Sequence, residues 1–339
     1  SENLFDSGET TFTNDEALVI GTVAGIDANS KAPAFTETVG ISTNNGDVAL
    51  TVNGAALTIG STAGEDIDVG SATVSISASG VSEDSGSTIV ADNLELLGTG
   101  IFELNEANKV GSLAANVDGD FSFINDASLV VGTAGGTDGI TTAGDDVRIE
   151  VTGGGNQLNI GDSNTDQNIT TVGGNITLVS TGLLTIGDGT NSQSLDAGSG
   201  IVLINSAGVT EQTGSTISAT GLEIIGTGTF NLNEMNDVDN LAANISGTLT
   251  YTNLGALTIG TVDGDDGIAA NGSVGITTAG GDVTVNAGLT TNGTLTVDDV
   301  VNTEDGAAGT GGVISVNSVE LNAALVAGTG NITLNGGGC

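Results

Sequence analysis

Residues 71–100 read SATVSISASGVSEDSGSTIVADNLELLGTG, and residues 199–228 read SGIVLINSAGVTEQTGSTISATGLEIIGTG. With Ser71 set on Ser199, the match persists without a gap as far as position 261. Phe102-Glu-Leu-Asn-Glu106 meets Phe230-Asn-Leu-Asn-Glu234, and Leu129-Val-Val-Gly-Thr133 meets Leu257-Thr-Ile-Gly-Thr261. A long repeat that never loses phase marks an array in which each unit packs mainly on its neighbours. One continuous body over residues 1–339 is therefore expected, with 71–133 matching 199–261, rather than two globular domains.

Within the repeat the local unit is a triplet: apolar, polar or small, apolar. Leu57-Thr-Ile59, Val74-Ser-Ile76, Val147-Arg-Ile149, Leu184-Thr-Ile186 and Val283-Thr-Val285 are examples. Period two means short strands with one face buried. Gly, Asn, Asp or Ser follows almost every triplet and supplies the turn. Triplets come in pairs, as at 94 and 102, and the pairs begin again at a steady interval, as from 94 to 121 and from 222 to 249. This spacing predicts an all-β, right-handed parallel solenoid with two or three short strands per coil. About 15 coils at roughly 4.8 Å each predict a rod near 70 Å long. A meander of hairpins would need longer strands joined by two-residue Asn-Gly or Asp-Gly loops. The few such dipeptides, Asn45-Gly46 and Asn292-Gly293, read as corners.

Composition agrees. Of 339 residues, 3 are Lys or Arg and 42 are Asp or Glu, for a net charge of −39. There is no His and no Trp, and aromatics are 2%. The apolar content is small and often β-branched, which suits a narrow core and raises strand propensity. Hydrophobic residues at 37% in regular triplets set the chain apart from an acidic disordered tail. With Lys31, Lys109 and Arg148 as its only cations, the chain offers no basic footprint for nucleic acid. An anionic membrane surface repels it, and no apolar run reaches membrane-spanning length. Cys339 is the single cysteine, so no disulfide forms within the chain. Lys31 lies in Asn29-Ser-Lys-Ala-Pro33, where triplets lapse, and a protruding loop is expected there.

The strings LTIGTVDGDDGI (257–268), GSVGITTAGGDVTVNAG (272–288) and GNITL (174–178 and 330–334) resemble the haemagglutinin-type repeats of large bacterial surface proteins, the filamentous-haemagglutinin-like adhesins. The likeness runs over nearly the whole chain. It implies a right-handed parallel β-helix in an extracellular, rod-shaped adhesin or fibre, and it carries no catalytic residues across.

Candidate chemistry is sparse. Asp145-Asp146, Asp265-Asp266 and Asp298-Asp299 are adjacent pairs, and neighbours on a strand point to opposite faces, so they make poor acid–base pairs. They read as solvated corners, and the chain reads as a non-enzyme; a polysaccharide-acting β-helix enzyme is the third reading. Calcium is the one cofactor the sequence raises. Asp162, Asn164, Asp166 and Asn168 place oxygen side chains at every second residue, which is how a loop cation site starts. An EF-hand is excluded, because its sixth and twelfth positions are here Gln167 and Gly173. Asp263, Asp265 and Asp266 form a weaker candidate. Residues 1–21 and 331–334 are ordinary repeat sequence without a capping pattern. The expected role is thus an extracellular fibre subunit whose partners are copies of itself stacked end to end. A rod segment of a large secreted adhesin that meets cell-surface or matrix polysaccharide is the alternative. Neither reading includes nucleic acid or membrane insertion.

Overall fold

A computed structural model describes residues 9–25, 37–162 and 167–297, and the backbone of strands Val301–Thr303, Ile314–Leu321, Leu325–Ala327 and Ile332–Leu334. It is a parallel β-solenoid of about 11 turns and 61% strand, and no helix occurs among the described residues. The alternation explains why. In Val147–Val151 the side chains of Val147, Ile149 and Val151 are buried, while Arg148 faces out. The next strand of the same turn, Leu158–Ile160, buries its two apolar residues in the same way. The third is Ile169–Thr170, and the chain then returns at Ile176–Ser180.

Each strand pairs in parallel register with its counterpart one turn on. Val147 lies beside Ile176, Leu158 beside Leu184 and Ile169 beside Leu195. Three ladders therefore run along the rod and enclose one core of Val, Ile, Leu and a few aromatics. Burying each such side chain contributes roughly 1.5–3 kcal/mol, and stacking repeats the gain turn after turn.

The turns are fewer and less uniform than the triplet spacing implied. About 11 turns replace the expected 15, which shortens the rod to roughly 50 Å at about 4.8 Å per turn. Leu222 pairs with Leu241, whereas Thr10 pairs with Val48, twice as far along the sequence. Hairpin insertions account for part of the excess. Thr22–Val23 pairs antiparallel with Thr38–Val39, Thr133–Ala134 with Thr137–Asp138, and Thr261–Val262 with Asp265–Asp266. Each hairpin ends at a glycine in the left-handed region, Gly40, Gly139 and Gly267. A Cβ at Gly139 would run into the backbone of Asn168 in the next turn, so glycine is required there.

The shortest turns differ in another way. Their triplets are not separate strands but parts of Ile89–Thr99 and Phe102–Asp118, and of Thr216–Gly226 and Thr229–Ile245. These strands bend through the corners without a loop. Buried asparagines carry the hydrogen bonds across the bends. Asn108 Oδ1 accepts from Ile89 N (2.6 Å), and Asn125 accepts from Val110 N (2.9 Å) and donates to Val110 O (3.0 Å). One long repeat later, Asn236 accepts from Ile217 N (2.7 Å), and Asn253 brackets Val238 as Asn125 brackets Val110.

Candidate functional site

Of the four expected calcium ligands, Asp162 and Asn168 are described, and Asn164 and Asp166 lie outside the described residues. Gln167, buried at the base of this loop, accepts from Asp162 N (2.9 Å) and donates to Asp162 Oδ1 (2.7 Å). Asp162 Oδ2 accepts from Thr133 N (3.3 Å), and Asn168 Oδ1 accepts from Ser194 N in the next turn (2.7 Å). Both described members thus already bind protein N–H groups. A corner of the same build recurs one turn on, where Asp188 N donates to the buried Gln193 Oε1 (3.2 Å). There Asp188 folds back on Thr190 N and Asn191 N, which holds its carboxyl below the usual range. Glu65 is a comparable cap. Hydroxyl bonds from Thr22 and Ser61, with the backbone N–H groups of Ser61 and Thr62, hold its carboxyl down at about 2.

More unusual carboxyls line the wall of the rod at positions that period-two reading passes over. Glu83 Oε2 accepts from Glu106 N (2.9 Å) and Asn108 Nδ2 (3.2 Å), while its Oε1 is buried without a partner. Glu211 repeats this with Glu234 N (3.0 Å) and Asn236 Nδ2 (3.2 Å), and its Oε1 is likewise unpartnered. Burial pushes each carboxyl up to about 7 against these hydrogen bonds, helped by the charges of Glu106 and Glu234 respectively. A raised carboxyl beside a second one is what a glycosidase needs. Here the unpartnered oxygens are buried, and the chemistry they offer is proton uptake by the scaffold.

The second and third hairpins each cover another buried glutamate. Under residues 133–138, Glu95 Oε2 accepts from Ser75 Oγ (2.6 Å) and Oε1 from Thr137 Oγ1 (2.8 Å). Under residues 261–266 lies Glu223, the equivalent of Glu95. It is 3% exposed, and its Oε2 is buried with no partner. Burial first, then the charge of Asp265, pushes this carboxyl up to about 7. Asp265 is half-buried in the hairpin and Asp266 exposed, so the pair read as one solvated corner is divided between two roles. Among the described residues no group of three or more His, Cys, Asp or Glu is placed to hold a metal ion.

On one outer face a shallow groove follows the ladder Asn205, Ile225, Asn244, Ala269 and Thr290, with Asn271 and Asn292 at its edge. Its amides and hydroxyls offer hydrogen bonds to a polar ligand, and no aromatic platform lies in it. Among the described residues no helix is long and apolar enough to cross a membrane. Comparison with known proteins finds no matching family model, no similar curated protein and no similar solved structure.

Proposed function

We propose that the chain is a structural protein, a β-solenoid subunit of an extracellular fibre in which copies stack end to end. The first described turn carries this reading. Leu18 N donates to Ala56 O (3.1 Å), and Ile20 O accepts from Gly60 N (2.8 Å). Val19, between them, therefore turns its N–H and C=O to the other side, where no strand pairs among the described residues. The core is open on the same side. Phe12 stands in the ladder of Leu50 and Ile76 but is 46% exposed, against 3% and 0% for its neighbours. A further turn of the same kind would supply both the backbone bonds and the cover, and a second copy of the chain brings one. Such a contact is heterologous and does not close, so it propagates as a fibre. The likeness of the repeat strings to those of haemagglutinin-type surface proteins supports the extracellular setting. The reading assigns the chain no reaction.

The test is Val19→Pro. Proline there removes the outward N–H while leaving the Leu18 and Ile20 bonds to the next turn in place. Electron microscopy in high salt should show fibres for the parent and isolated rods for the variant, with unchanged circular dichroism. A parent that stays monomeric at high protein concentration in salt and Ca²⁺ ends the fibre reading. The amide-lined groove favours a second reading, a rod segment of a larger secreted adhesin that binds surface or matrix polysaccharide. Glycan-array binding that Asn244→Ala abolishes would support it, and binding unaffected by that change would count against it.

A further inference from the structure

In an Asn-Gly pair the asparagine side chain is open to attack by the next backbone nitrogen, because glycine puts no Cβ in the way. The chain carries this pair at Asn45-Gly46, Asn53-Gly54, Asn271-Gly272, Asn292-Gly293 and Asn335-Gly336, the last outside the described residues. The attacking atom is the glycine N, and the fold ties it down in all the described pairs but one. Gly46, which is buried, donates to Thr43 Oγ1 (3.2 Å), while Asn45 Oδ1 accepts from Ser71 N and Ser71 Oγ (3.0 Å each). Gly272 N donates to Gly247 O (2.8 Å). Gly293 N donates to Gly272 O (3.2 Å) and Thr291 Oγ1 (3.1 Å), and Asn292 Nδ2 donates to Asn271 Oδ1 (3.0 Å).

Asn53-Gly54 differs. Both residues are exposed, and Gly54 N meets no acceptor among the described residues. A Cβ at Gly54, at φ 67°, would touch nothing within 4 Å. The pair also stands where the first described turn joins the second. Asn53 N donates to Asn14 O (2.8 Å), and Asn53 Nδ2 donates to Asp15 Oδ1 (2.8 Å). The Nδ2 bond is exposed to water and restrains the amide only weakly. Thr10–Asn14 pairs with Val48–Val52 and with no strand on its other side among the described residues.

We propose that Asn53 is a site of spontaneous deamidation, and that its conversion loosens the first turn. Gly54 N gives up its proton and bonds to Asn53 Cγ, the Cγ–Nδ2 bond breaks, and Nδ2 leaves with that proton as ammonia. Water then opens the cyclic imide. Opening at Cγ gives aspartate, and opening at the main-chain carbonyl gives isoaspartate. Water is the only co-reactant, and the rate rises with pH because the attacking nitrogen must be deprotonated. Either product sets a carboxylate beside Asp15 where a donor stood, so a hydrogen bond becomes a repulsion between like charges. Isoaspartate also lengthens the main chain by one carbon, next to the N–H that serves Asn14. Deamidation here does not require end-to-end stacking.

Ageing of the full chain at mildly alkaline pH, followed by proteolysis and mass spectrometry, tests this. The Asn53 peptide should gain the mass of an amide-to-acid exchange about tenfold faster than the Asn45, Asn271 and Asn292 peptides, whose glycine N–H groups must first break a hydrogen bond. In urea the rates should draw together. Equal rates in the folded chain overturn the site, and an Asn53 lead that persists in urea overturns its structural cause. Backbone hydrogen exchange over Thr10–Asn14 should be about fivefold faster in the aged chain, with Ile176–Ser180 unchanged. Asn53→Ser, which cannot form the imide, should age without this change. Exchange over Thr10–Asn14 that stays at the parent rate in a fully converted chain overturns the effect on the first turn.

Discussion

Glu83 and Glu211 hold the same place one long repeat apart, each with one bonded and one unbonded carboxyl oxygen. Their carboxyls are raised from 4.5 to about 7, so the folded state keeps protons that the unfolded chain has released. The stability they contribute is fully present below about pH 4.5 and is lost as pH rises through about 7, by at most about 3 kcal/mol per site. Denaturant midpoints should therefore fall between about pH 5 and pH 8, and the Glu83→Gln/Glu211→Gln chain should show a shallower fall. Equal slopes for parent and variant would contradict this account. Other acidic residues do the opposite work. Asp120 accepts from Asp146 N (3.3 Å), Asp146 from Asn175 N (2.7 Å) and Asn175 from Ile201 N (3.0 Å), one corner above the next. Asp and Asn interchange along this column because only the side-chain oxygen is used. That these corners are polar was legible in the sequence. Which carboxylates serve the next turn, and which are buried in the wall, was not, because that depends on what lies beside them on the neighbouring turns.

At the scale of elements, the bent strands depend on their asparagines more than on their triplets. Asn125 is fully buried and satisfies both Val110 N–H and Val110 C=O, and it donates also to Ala127 O (2.9 Å). Asn125→Ala leaves those backbone groups in the core without partners and should cost roughly 2–4 kcal/mol in urea unfolding. Asn125→Asp restores the acceptor but not the donor and adds a buried charge, so it should not recover the loss. A cost below about 1 kcal/mol for the alanine variant would mean that the bend satisfies itself. Triplets such as Leu94-Glu-Leu96 were readable as strand from period two alone. Their fusion into the long strands Ile89–Thr99 and Phe102–Asp118 was not. Continuity across a corner is set by hydrogen bonds between residues distant in sequence, as from Ile89 to Asn108 and from Val110 to Asn125. A local pattern does not carry that information.

Over the whole molecule, a net charge of −39 on a thin rod stores self-repulsion that counterions screen. Melting temperature should therefore climb by several degrees from low to high NaCl. A salt-independent melt would show that the charges are too far apart to repel. The sequence by itself determined the class of the molecule. The long repeat, the period-two triplets and the glycine-rich corners specify a parallel stack, because no other arrangement buries so many short apolar runs at a constant phase. The tertiary structure alone decided how far apart in sequence successive turns lie, as near as Leu222 to Leu241 and as far as Thr10 to Val48. The number of turns and the length of the rod follow from that. It also decided that Thr137 reaches Glu95 two turns back. The physical reason is common to both. In a solenoid contact partners sit one or two turns away, and turn length is set by hairpin insertions and loopless corners that local periodicity does not record.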